Sequence, residues 1–254
     1  MTFGGGSQQY KNTVYRITRQ AKQSKFFDEV IGYTDDDLKT TFYDDFWKHH
    51  GKFIESNPRG YGYWIWKSYL ILKTLENMED NDILIYADSG CEVNYKCDTT
   101  KIHEVFEYIK QNGIYQHYIH HQHLEQEWTK KSVFDALEMD INTYGNTKQI
   151  ESCPFGCVNN QFNRDFVKLW FNTCIENNYI NVIDKKICEN HNDFKDHRHD
   201  QSIKSLLSKK LNLPVADCGL FFHHPDESGL TGVRKDSPIV IQRNKGSKTR
   251  INCP

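Results

Sequence analysis

Two acidic positions carry much of the chemistry that the residues of this chain offer. Asp88 opens the tripeptide Asp88-Ser89-Gly90 directly after the apolar run Ile83-Leu-Ile-Tyr-Ala87. A carboxylate at the end of a buried strand, followed by a small residue and a glycine, can hold a divalent cation against a diphosphate or simply close a turn. Asp200 lies in His197-Arg-His-Asp-Gln-Ser202, before an amphipathic run with Ile203, Leu206 and Leu207. There it can cap a helix or accept a proton from a hydroxyl. A third stretch, Arg59-Gly-Tyr-Gly-Tyr-Trp-Ile-Trp-Lys67, sets cations at both ends of an aromatic, glycine-punctuated segment. Glycines let backbone approach a ligand closely, Tyr61 and Tyr63 can stack on a base, and Arg59 and Lys67 can neutralise phosphate. Lys130 stands at a helix start, where a cation opposes the helix dipole, which points to a role beyond solvation.

The elements that must position these groups read as alternating strands and helices. Met1-Thr-Phe before Gly4-Gly5-Gly6 predicts a short strand, then a helix with Tyr10, Val14, Ile17 and Ala21 on one face. Glu29–Thr34 reads as a second strand, and Thr34 with Asp37 marks the next helix start. A helix through Leu75 is apolar nearly all round and should be buried. The strand Asp82–Asp88 follows, then a helix, a strand around Ile114–Ile119, a helix from Glu127, and helices marked by Phe162–Trp170 and Asp200–Leu207. Strand and helix alternating at this pace predict an α/β fold with a mostly parallel central sheet flanked by helices. No polar linker divides the 254 residues, so one domain is expected, with an irregular tail from about Gly232 that is mobile or folds over a ligand.

Composition narrows the classes. Hydrophobic residues at 37% and charged ones at 26% fit an ordinary globular chain, and a net charge of -2 argues against nucleic-acid binding by counterion release. No run approaches the roughly 20 apolar residues of a membrane span, and the opening residues lack a basic and apolar leader. A reducing cytoplasm, that of the host for a viral protein, is the expected setting for the eight cysteines. The crowded His117, His120, His121 and His123 raise a rival reading, a zinc-dependent hydrolase, though no Cys/His ligand spacing accompanies them.

Four ordered motifs, Arg59–Lys67, Tyr86-Ala-Asp-Ser-Gly-Cys-Glu-Val-Asn94, Trp128-Thr-Lys130 and His197–Ser202, resemble a family of glycosyltransferases of bacteria, eukaryotes and large DNA viruses. The resemblance spans about Gly4 to Leu207. It implies a single GT-A (Rossmann-like) domain that moves a sugar from a nucleotide-sugar donor, UDP-linked first among them, to a glycan or small-molecule acceptor. Donor binding would fall to Arg59, Tyr61, Tyr63, Lys67, Asp88, Ser89, Gly90, Lys130, His199 and Gln201. The resemblance also implies a catalytic Asp200 and an Mn²⁺ or Mg²⁺ ion on Asp88 with His223 or His224. Gly90 stands where the usual second acid of an Asp-x-Asp would be, which leaves room for a metal-independent enzyme or for a non-catalytic relative that binds nucleotide or glycan.

Overall fold

The computed structural model describes residues 1–40, 43–119, 123–217, 220–222 and 237–248. The chain begins with β1 (Thr2–Gly4), α1 (Gln8–Ser24), β2 (Gly32–Thr34), α2 (Asp35–Leu38), α3 (Asp44–Ser56) and α4 (Gly60–Tyr63). It continues through α5 (Ile65–Glu76), β3 (Ile83–Tyr86), β4 (Glu92–Val93), α6 (Thr99–Asn112) and β5 (Ile114–Tyr115). Then come α7 (Glu125–Trp128), α8 (Lys131–Ala136), α9 (Ile141–Tyr144), β6 (Phe155–Val158), α10 (Gln161–Tyr179), α11 (Asp200–Lys210) and β7 (Ile239–Val240).

Local signals set the longer helices. The Ser7 side chain accepts the Tyr10 N–H and starts α1, which buries Val14, Ile17 and Ala21 on the expected face while Tyr10 stays exposed. Asp98 accepts the Thr100 N–H at the start of α6, and Gly113 ends that helix at φ 76°. The helix read as apolar all round is α5, buried along nearly its whole length and packed against α10.

The strands, however, do not build a mostly parallel central sheet. Among the described strands β1 and β2 alone pair in parallel, and an isolated parallel bridge joins His117 to Ala216. In the three-stranded sheet β6 lies between β3 and β5 and runs antiparallel to both, while β4 and β7 form a separate antiparallel pair. The α/β composition stands; the parallel-sheet expectation does not. Alternating strand and helix patterns report the spacing of elements and carry no information on strand direction. Continuous apolar strands suggested parallel pairing because they predict cover on both faces. An antiparallel strand meets the same condition here: Phe155 of β6 packs on Phe166 and Trp170 of α10, and the adjacent Gly156 faces Ile109 of α6.

The tail expected to be irregular from Gly232 is tied down where it is described. β7 pairs with β4, and Asn244 donates its N–H to the Gly90 carbonyl at 3.0 Å. No described helix is long and apolar enough to cross a membrane.

Candidate functional site

β3 ends at Tyr86, and past Ala87 the chain turns back through Asp88–Cys91, with the Cys91 N–H on the Asp88 carbonyl at 2.8 Å. The turn leaves the Asp88 side chain 43% exposed, while its amide donates to Cys153 Sγ at 3.1 Å and its Oδ1 accepts the Tyr86 hydroxyl at 2.5 Å. Beneath it lies Lys67 from the first turn of α5, with a side chain only 3% exposed. The ammonium stands 3.3 Å from Asp88 Oδ1, 3.4 Å from Asp200 Oδ2 and 3.2 Å from the Ser152 hydroxyl. Four distant stretches of chain thus meet at one cation.

The electrostatics follow from that burial. Loss of water alone would depress the Lys67 ammonium, yet Asp200 and Asp88 outweigh it and hold the group above the usual lysine range. Burial pushes the Asp200 carboxyl up to about 6 against the pull of Lys67, with Asp88 adding to the rise. The Tyr86 hydroxyl is raised by burial and by Asp88 beside it, so it stays a donor.

Asp200 is the first residue of α11, and the cap position falls to His199, which adopts φ 53° and ψ -120°. A non-glycine residue in that region is strained and persists only where its surroundings hold it. They do: His199 Nδ1 bonds the Val182 carbonyl at 2.6 Å, its ring stacks on Trp64, and the Trp170 indole donates to the Asp200 carbonyl at 3.0 Å. A carbonyl only accepts, so Nδ1 carries the proton. Gln201 links to the same floor, accepting the Ser152 N–H at 3.4 Å and donating to Gln149 at 2.8 Å.

Arg59, Tyr63 and Lys130 fall in a second cluster, around Asp184. Arg59 pairs with Asp184 at 3.1 Å and Asp196 at 2.8 Å, and the Tyr63 hydroxyl donates to Asp184 at 3.0 Å. Arg59, Lys130, Asp184 and Asp196 line a polar cleft of about 630 Å³. Lys130 serves as an anchor there, donating to the carbonyls of Ile180 at 2.8 Å and Ile183 at 2.6 Å, and burial lowers it to about 8. Tyr61 lies against Gly6 in the turn after β1. Ser89 accepts from Thr13 of α1 at 2.9 Å, and a side chain at Gly4 would come within 3.0 Å of its hydroxyl.

Sequence reading did not single out Ser152, Tyr86, Asp184, Asp196 or the tail residues that touch Gly90. Tyr86 carried a signal, since a residue two before Asp88 on a strand shares its face. Asp184 and Asp196 carried none, because their partner Arg59 is more than a hundred positions away.

The described residues do not assemble a divalent-metal site. Asp88 offers one open oxygen, and the space between Asp88 and Asp200 is filled by the Lys67 ammonium. His223 and His224 lie outside the described residues. Among the described residues no group of three His, Cys, Asp or Glu could hold a metal ion, which bears equally on the zinc reading. His117 is buried and His123 stacks on Trp128, while His120 and His121 lie outside the described residues. Cys91, Cys153, Cys157, Cys174 and Cys188 are free thiols.

Gly90 has a tertiary reason. A Cβ there would come within 3.0 Å of the Gln242 carbonyl and 3.4 Å of Arg243 Cα, so the tail occupies the space of a second acid. Gly90→Asp is expected to push the 237–248 segment off the loop, seen as faster amide hydrogen exchange across Asn244. Unchanged protection would mean that the tail accommodates the side chain.

No protein-family model matches this chain, and no curated protein matches it.

Proposed function

We propose that this chain transfers a sugar from a nucleotide-sugar donor, most simply a UDP-sugar, to a hydroxyl of a glycan or small-molecule acceptor. The observation that carries the reading is the Asp88–Lys67–Asp200 arrangement: an open carboxylate at a strand end, backed by a buried cation and a second, buried carboxylate. The motifs behind the resemblance also meet in space. Lys67 and Asp88 share one ion pair, and the Trp128 carbonyl accepts from the Arg198 amide at 3.1 Å and from Ser202 Oγ at 2.8 Å.

In this reading the open oxygen of Asp88 receives a sugar hydroxyl. Asp200, whose side chain is 5% exposed, acts from below as a positioning residue that holds the Lys67 ammonium against Asp88. That differs from a general base meeting the acceptor directly, because Asp200 Oδ2 is sealed from solvent. Transfer forms an acceptor oxygen–anomeric carbon bond and breaks the bond from that carbon to the diphosphate. The hydroxyl proton goes to a carboxylate at the mouth of the site.

The pH dependence follows. Asp200 holds Lys67 best as an anion, and its carboxyl titrates at about 6. Turnover should therefore fall as pH drops through about 6, and Asp200→Asn should be slow with that acid limb gone. A donor-turnover profile with the same acid limb in Asp200→Asn would remove this role. The first test is a panel of nucleotide sugars, scored by thermal shift and by release of nucleoside diphosphate. A ligand present at about 100 times its Kd should add roughly 2.7 kcal/mol of stability. Stabilisation by nucleotide without any turnover would favour a second reading, a binding module without catalysis, which the burial of Asp200 also suits.

A further inference from the structure

We infer that this site supplies its own cations and works without a divalent metal. Lys67 stands between Asp88 and Asp200 where a metal ion would stand, and Arg243 of the C-terminal segment faces the donor phosphates. The inference rests on the nucleotide-sugar reading above.

The space and the donors argue the same way. A cation such as Mg²⁺ needs oxygens at about 2.1 Å in a near-octahedral shell. The two carboxylates closest to such a position already flank an ammonium at 3.3 and 3.4 Å, and Tyr86 takes a share of Asp88 Oδ1. A metal placed there would have to evict a buried Lys67. Gly90 offers no carboxylate for an alternative shell, and the space a side chain would take there is closed by tail backbone.

What the tail lays on Gly90 is Arg243. Its Cα lies 3.4 Å from where a Gly90 Cβ would be, its side chain is exposed, and it makes no ion pair among the described residues. The placement is built into the fold. Asn244, fully buried, donates to the Gly90 carbonyl through its amide and to Glu92 Oε1 at 2.5 Å through its side chain. The buried guanidinium of Arg16 binds the carbonyls of Ser89 and Cys91 with one nitrogen and those of Asn244 and Gly246 with the other. One side chain thus clamps the turn after Asp88 to the tail.

The chemistry fits a phosphate. As the anomeric bond to the diphosphate breaks, the leaving group gains negative charge, and the exposed Arg243 guanidinium offers it a planar fork of donors. Lys67, already answered by two carboxylates, cancels their repulsion towards that leaving group. Arg243 then supplies positive charge that no ion pair among the described residues consumes.

The test uses the full chain. Titration with Mn²⁺ alone, followed by calorimetry, should show no binding that Asp88→Asn removes, and UDP should bind equally in EDTA and in Mn²⁺. Arg243→Ala should weaken UDP by about 10- to 100-fold while leaving uridine nearly unchanged, the scale of a charge-assisted bond. Mn²⁺ binding that depends on Asp88, or donor turnover lost in EDTA and restored by Mn²⁺, overturns the inference. So does an equal loss of UDP and uridine in Arg243→Ala. UDP binding that ignores metal but leads to no transfer with any UDP-sugar would sink only the transferase reading.

Discussion

Replacing Lys67 with methionine is expected to destabilise the protein by about 3–5 kcal/mol, the scale for removing one partner of a buried ion pair. Methionine keeps the volume but leaves Asp88 and Asp200 without the ammonium that stands between them. For a chain of this size that corresponds to a fall in Tm of roughly 6–20 °C. The pH dependence supplies the signature. The Asp200 carboxyl stands at about 6 in the fold, raised by burial and restrained by Lys67, against about 3.9 for an ordinary aspartate. A carboxyl raised by folding favours the native state when protonated, so that contribution is lost as pH rises from about 4 through about 6. Without Lys67 the carboxyl should rise further. The Tm gap between wild type and Lys67→Met should then be wide at pH 8 and narrow near pH 5. An equal gap at both values would mean that Lys67 contributes packing alone.

Asp88→Asn is expected to lower transfer by about 10²- to 10⁴-fold, the range for loss of a group that handles a proton at the reacting centre. The change should leave Tm close to that of the wild type. Asp88 is 43% exposed, so its charge is screened by water, and an amide oxygen can still accept from Tyr86. The amide cannot take a proton at neutral pH, and it no longer balances Lys67. Initial rates of nucleoside diphosphate release, measured beside melting curves, decide the matter. A folded Asp88→Asn protein that turns over donor at the wild-type rate would take Asp88 out of the mechanism.

Much of the site was legible in the linear chain, for local reasons. An apolar run ending in Asp-Ser-Gly marks a strand end and a turn, and β3 closes at Tyr86, two residues before Asp88. An α-helix apolar all round must be buried, so a lysine in its first turn is either paired or misplaced; Lys67 is paired. Asp200 opens a helix as its position before Ile203 and Leu206 predicted. Capping and periodicity are short-range effects, set by residues within about four positions of one another.

Strand direction, partner choice and the meaning of Gly90 were decided only in three dimensions. Nothing in Phe155–Val158 says that it enters between β3 and β5 and runs against both, because covered faces look alike in parallel and antiparallel sheets. Gly90 reads as a missing acid along the chain, whereas in the fold it is the gap through which residues 242–244 pass. Arg59 and Lys67 look alike at the two ends of one motif. Tertiary contacts give the first to Asp184 and Asp196 in a cleft and the second to Asp88 and Asp200 in the interior. Residue types and spacing determined which groups were present and which local turns held them. Long-range packing decided which charges face each other, because ion pairing depends on distances that close only when segments far apart in the chain meet.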